Sequence, residues 1–152
     1  MELALEQAQK AFNCDEVPVG AIVVKNEEII GRGFNQVIAK NSVSSHAEIN
    51  AINEASQFLK NYRLNGCDMY VTLEPCHMCA KAIVDARINF LYFGANEPKT
   101  GAIESIDQFL DRGDINHNLA FSGGHMKTKS SELLRKFFKF KRAEKASQKK
   151  LF

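Results

Sequence analysis

Long apolar runs are absent from this chain. No stretch approaches the ~20 consecutive apolar residues of a membrane-spanning helix. The opening residues, Met1 to Lys10, alternate charge with short apolar side chains and build neither the basic nor the apolar segment of a secretory signal. A cytoplasmic setting, with no membrane partner, is the expectation that follows. Cysteine is sparse too, with four in 152 residues. In a reducing compartment, a C-x-x-C pair points to a metal or redox site rather than to a structural bridge. Repeats and linkers are lacking, and the only low-complexity tract is the lysine-rich end. The apolar fraction, 45%, is ordinary, and a single domain over residues 1–152 can build its core without disulfide staples.

Net charge is small, +2, but it is unevenly spread. From Lys127 onward there are ten basic residues, opposed only by Glu132 and Glu144. That tail therefore carries +8, which leaves −6 for the remainder. The asymmetry suits a polyanionic partner. A solvated basic helix is the plainer explanation of the same charges.

Apolar spacing predicts a first helix over residues 3–13, ended by Val17-Pro18-Val19-Gly20. Ala21–Val24 and Ile29–Phe34 flank Asn26-Glu27-Glu28 and read as a hairpin. A polar loop follows over residues 35–45, then a helix from His46 to about Leu59. Met69–Leu73 is a buried strand. Pro75 stands where a helix can begin, and Cys76–Ala86 reads as that helix. Phe90–Gly94 is a further strand, and Leu119–Ser122 a last one. Residues 103–117 have no clear pattern, and an amphipathic helix spans about 130–145. Strands alternating with helices indicate an α/β sandwich whose sheet is mostly parallel after the hairpin.

Two short motifs carry chemistry: His46-Ala47-Glu48 and Pro75-Cys76-His77-Met78-Cys79. H-x-E followed by P-C-x-x-C is a known signature of zinc-dependent nucleobase deaminases, matched here rather than deduced. Cys76 and Cys79, three apart, share one face of a helix's first turn. The positive end of that helix favours the thiolates that zinc needs. His46 with two thiolates makes three protein ligands, so the fourth position stays open to water, as in catalytic zinc. Water held there has a pKa of about 7. His46 and Glu48 would diverge by about 200° on a regular helix. They converge only in front of its N-terminus, which places one Zn2+ before two helix starts, with Glu48 as the general acid and base.

Each residue also has a plainer role. Ser45-His46-Ala47-Glu48 spells a capping box, in which Glu48 only caps the helix. A lone histidine such as His46 is more often structural. His77 could act as a fourth ligand and make the zinc structural, but next to Cys76 it points about 100° away on a helix. His117 and His125 read as surface or supporting residues. Cys14 and Cys67 have no partner at ligand spacing and read as small buried hydrophobes.

Beyond the zinc motifs, Glu16-Val17-Pro18-Val19-Gly20-Ala21, Asn61-Tyr62-Arg63-Leu64, Val71-Thr72-Leu73-Glu74-Pro75-Cys76 and Lys99-Thr100-Gly101-Ala102 make the chain resemble the bacterial tRNA-specific adenosine deaminases over nearly its whole length. The resemblance implies a three-layer α/β/α fold of the cytidine deaminase-like kind with a five-stranded mixed sheet. It implies a homodimer with one zinc per subunit, and conversion of adenosine to inosine at the wobble position of a tRNA anticodon loop. By position, Asn35 matches the asparagine that contacts the target base. Glu97 and Lys99 fall in a loop near the nucleic acid. Phe137, Phe138, Lys139, Lys141 and Arg142 match a C-terminal segment that contacts tRNA, although burial under the helix would serve the two phenylalanines as well. His77 stands where an aliphatic residue is usual, and Asn41–Ser45 lacks the family's usual approach to the histidine. Two other functions remain open on the residues alone: a deaminase of a free base or nucleoside, such as guanine or cytosine, and a non-catalytic RNA-binding module with structural zinc.

Overall fold

The computed structural model describes residues 1–149. Helix α1 (Glu2–Asn13) buries Ala4, Gln7, Ala8 and Ala11, a stripe at helical spacing. Strands β1 (Gly20–Lys25) and β2 (Glu28–Phe34) form the expected hairpin. Its two turn residues, Asn26 and Glu27, have φ of 48° and 64°, the left-handed pair that matches the twist of a two-residue hairpin. There follow α2 (Ala47–Leu59), β3 (Cys67–Leu73), α3 (His77–Asp85), β4 (Phe90–Ala95), β5 (Ala120–Ser122) and α4 (Lys127–Lys149). The segment without a clear pattern is mostly turns around one short 3-10 turn, Phe109–Asp111.

The sheet runs β2-β1-β3-β4-β5. β1 is antiparallel to both β2 and β3, whereas β3, β4 and β5 are parallel. Helices α1 and α4 pack on one face and α2 and α3 on the other, giving three layers. Between the sheet and α2 and α3 lies the core, where Ala21, Val23, Met69, Val71, Leu91 and Phe93 meet Ala47, Ala51, Ala55, Ile83 and Val84. Helix α2 lies so close to β2 that a Cβ at Gly33 would fall 2.1 Å from the Ala47 carbonyl oxygen. Only glycine permits this approach, and it sets the start of α2 beside the end of β2.

Two sequence expectations change. Helix α4 is longer than 130–145 at both ends; of the basic tail, Lys150 lies outside the described residues. Cys14 is exposed rather than buried, because it caps the C-terminus of α1 beyond its packed face. Cys67 is buried as expected. Among the described residues no helix is long and apolar enough to cross a membrane.

Candidate active site

The fold gathers three chain segments at one edge of the sheet. β2 ends at Phe34 and delivers Asn35, β3 ends at Leu73 and delivers Glu74-Pro75-Cys76, and β4 ends at Ala95 and opens the loop from Asn96. Helices α2 and α3 begin at the same edge, with His46 and Cys76 as their N-cap residues. The carboxyl ends of strands and the N-termini of helices are where α/β folds hold ligands.

His46, Cys76 and Cys79 come together there, their ligand atoms all within 4.8 Å of one another. The His46 Nδ1 atom lies 3.7 Å from the Cys76 Sγ and 3.5 Å from the Cys79 Sγ. Metal–sulfur and metal–nitrogen bonds of about 2.3 and 2.0 Å, meeting at a tetrahedral angle, set S and N about 3.5 Å apart. The three side chains therefore fit around one metal ion without rearrangement. Their proton affinities are unequal. A hydrogen bond from the Cys79 thiol draws Cys76 down to about 4 against the opposing effect of burial, with His46 assisting. That same bond to Cys76, with burial added, pushes Cys79 up. Bonding to Cys76 also raises His46, against burial. Cys76 is thus the ready thiolate, and Cys79 holds a proton that a metal must displace.

Glu48 is buried beside this group. Burial pushes its carboxyl up to about 7, against the pull of its own backbone N–H and of His46. A carboxyl poised near neutrality can both take and give a proton there. The capping-box reading of residues 45–48 is corrected by the structure. His46, not Ser45, is the N-cap, and no side chain of its own caps α2. Ser45 instead bonds Asn50. The cap comes from Asn35, whose Oδ1 accepts the Ala47 N–H at 2.9 Å. That bond fixes the orientation of the Asn35 amide and leaves its NH2 end without a protein partner among the described residues.

His46, Glu48, Cys76 and Asn35 line a pocket of about 320 Å³, closed by Val17, Val19, Leu73, Glu74 and Thr100. Sharing its Val17 and Leu73 walls is a groove of about 530 Å³ between the 96–99 loop and α4. Glu97, Lys99, Phe138 and Arg142 all line this groove, together with Arg135. The other tail residues that the sequence singled out lie elsewhere. Phe137 is buried against the edge of Phe12, 5.7 Å away, because it falls on the face of α4 turned to the protein; its expected contact with RNA is withdrawn. Lys141 pairs with Asp15 and Glu144. Lys139 is exposed and lines neither cavity. His77 turns away from the cysteines, 2.8 Å from Asp107 and edge-on to Phe109, so it is no fourth ligand. His117 and His125 bond the Ile88 carbonyl and Ser122. Sequence reasoning assigned no role to Glu74, Thr100 or Arg135.

Comparison with known proteins agrees with this geometry. The model of the MafB19-like deaminase family matches residues 1–142. The tRNA-specific adenosine deaminase of Agrobacterium fabrum is 46% identical over 144 residues, 95% of each chain. That of Haemophilus influenzae is 44% identical over 152 residues, 99% of this chain and 88% of the relative. A solved structure from work on A-to-I editing by tRNA:A34 deaminases at the wobble position superposes with a TM-score of 0.86 at 46% identity, over 88% of this chain and 97% of the other. The guanine deaminase of Bacillus subtilis superposes with a TM-score of 0.62 at 31% identity, over 80% of each.

Proposed function

This chain belongs to the MafB19-like deaminase family and sits among its tRNA-specific adenosine deaminases, and we propose that it hydrolyses the wobble adenosine of a tRNA anticodon loop to inosine and ammonia. The observation that carries the reading is one cavity system: a His46–Cys76–Cys79 group and buried Glu48 at the base of a pocket, opening into a groove lined by Lys99, Arg135 and Arg142.

One nitrogen and two sulfur ligands at tetrahedral spacing suit zinc better than the oxygen-loving divalent ions. Zinc held there supplies a water activated near neutral pH. Glu48 would take a proton from the attacking water, pass it to the ring nitrogen beside the amino-bearing carbon, and help protonate the departing ammonia. The amide NH2 of Asn35, held by its bond to Ala47, donates to an acceptor on the base edge. An unpaired loop base is cheap to extrude into such a pocket. Arg135, Arg142 and Lys99 take the phosphates on either side, and Phe138, 43% exposed, offers a ring for stacking. A homodimer in the cytoplasm belongs to the same proposal. Phe58, Tyr62 and Met78, exposed on α2, the loop after it and α3, supply apolar surface for the dimer, which sedimentation would register as twice the 17.0 kDa chain mass.

A free purine is the competing substrate, in view of the likeness to guanine deaminase. The two are separated by giving the zinc-loaded enzyme an anticodon stem-loop and, separately, free guanine, cytosine and adenosine. Inosine in the stem-loop, with no ammonia from the small molecules, is the expected result. Ammonia from free guanine with an unchanged stem-loop would overturn the proposal.

A further inference from the structure

We propose that Glu74 is a positioning residue for the substrate: its single buried carboxylate folds the 96–105 loop into the common wall of the metal pocket and the α4 groove. The inference rests on the deaminase reading for what the wall contacts, but not for how the wall is built.

Glu74 is only 2% exposed, and among the described residues it makes no ion pair. The carboxylate is surrounded instead by one loop. Its Oε1 accepts the backbone N–H groups of Ile103, Glu104 and Ser105 at 3.1, 2.7 and 2.9 Å. Its Oε2 accepts the Glu97 N–H at 3.0 Å, the Ser105 hydroxyl, and, at 3.5 Å, the side-chain amide of Asn96. Four backbone donors from two stretches of one loop thus converge on one anion, the kind of charge-assisted bonding that fixes a loop strongly. The loop in turn carries Thr100 into the metal pocket and Asn96, Glu97, Pro98 and Lys99 into the groove.

Gly101 gives independent support. A Cβ there would lie 2.4 Å from the Glu74 Oε2 and 2.5 Å from its Cδ. The loop therefore wraps the carboxylate so closely that a methyl group and the anion cannot share the space. This accounts for the Lys99-Thr100-Gly101-Ala102 segment, which the zinc chemistry leaves unexplained. Glu74 is also anchored at its own end, its N–H donating to the Ala95 carbonyl at 2.8 Å, while the Ala102 N–H donates to the Pro75 carbonyl at 2.9 Å. The turn that presents Cys76 and the loop that walls the pocket are thus one hydrogen-bonded unit.

Glu74→Gln replaces one acceptor oxygen with an NH2 group facing N–H donors. Hydrogen exchange and steady-state kinetics on the zinc-loaded full chain test the inference together. In Glu74→Gln, the amides of Glu97, Ile103, Glu104 and Ser105 should exchange at least ~10-fold faster while α2 and α3 keep their protection. KM for the stem-loop should rise ~10-fold or more with kcat changed less than ~3-fold, because the wall binds and does not react. Zinc content should stay at the wild-type level. Gly101→Ala should reproduce both effects, and Ser105→Ala, which spares the four backbone bonds, only a small part of them. If Glu74→Gln does not fold, the Gly101→Ala and Ser105→Ala pair decides by the same readouts. Unchanged exchange of the loop amides would overturn the inference, as would loss of zinc with KM unaltered. If the wild type forms no inosine, the proposed reaction fails, but the exchange result still stands or falls by itself.

Discussion

Asn35 uses the two ends of its amide for different purposes, and substitutions can separate them. Its oxygen caps α2 through the Ala47 N–H, and its NH2 group, without a protein partner among the described residues, is the end that the proposed contact with substrate uses. Asn35→Ala should lose about 1 kcal/mol of stability with the cap, seen as a lowered Tm, and deamination with it. Asn35→Asp keeps an acceptor for the cap, so its Tm should hold while activity is lost. Equal activity in Asn35→Asp and the wild type would remove the amide from the reaction. At the metal group, Cys79 is pushed up and carries a proton that zinc must displace, and His46 is raised above the ordinary histidine value, so zinc competes with protons at both. Zinc affinity should therefore fall as pH is lowered, and binding near neutrality should release about one to two protons. Calorimetry in buffers of different ionisation enthalpy reads this directly, and a heat independent of buffer would contradict it. Cys79→Ser should come out of purification without zinc; normal zinc content would take Cys79 out of the ligand set. At this scale the gathering of His46, Cys76 and Cys79 into a group that could hold a metal was legible in the sequence, because ligand chemistry restricts residue type and spacing. Asn35 as the cap of α2 was not, since it lies 12 residues from the N–H it serves and a nearer Ser45-x-x-Glu48 pattern imitated the usual device.

The elements matter through how closely they approach. α2 has His46 as its N-cap and Glu48 in its first turn, and its close approach to the sheet is set by glycine in β2. Gly33→Ala would force a Cβ to 2.1 Å from the Ala47 carbonyl, a backbone atom that cannot step aside. Such overpacking costs about 1–3 kcal/mol, and here it would displace the α2 start as well. Gly33→Ala should lower both Tm and zinc occupancy, and full zinc occupancy at wild-type Tm would show that α2 is held in some other way. The strands and helices themselves were readable from apolar periodicity, with errors at their ends. What periodicity could not give was α4's orientation. Its groove face presents Ser131, Leu134, Arg135, Phe138 and Arg142, a stripe at helical spacing, whereas Phe137, one residue away, is turned inward. Adjacent phenylalanines look alike in sequence, and only the docking of the helix tells them apart.

Over the whole molecule the charge is divided: a slightly acidic body carries a basic helix beside the pocket mouth. Binding of an anticodon stem-loop should weaken with salt, and each phosphate contact to single-stranded RNA adds about 0.7 to the slope of log affinity against log salt. Arg135→Gln with Arg142→Gln should lower that slope by about 1.4. Lys139→Gln, off the groove, should change it much less. An unchanged slope in the double variant would mean that RNA takes another path. The α/β class and the mostly parallel sheet after the hairpin were legible in the order of strand and helix signals, whereas the three layers and the five-stranded mixed sheet were implied by the family resemblance. The loop wall held by Glu74 was invisible, because its partners are backbone amides, which no sequence motif records. The central claim is that Glu48 works as a proton carrier beside a zinc held by three other residues, and the most direct measurement is zinc content and inosine formation in the same preparation of Glu48→Ala. The account predicts one zinc per chain, as in the wild type, with inosine formation in the stem-loop reduced by ~100-fold or more; a zinc-loaded Glu48→Ala that still deaminates at the wild-type rate would contradict it.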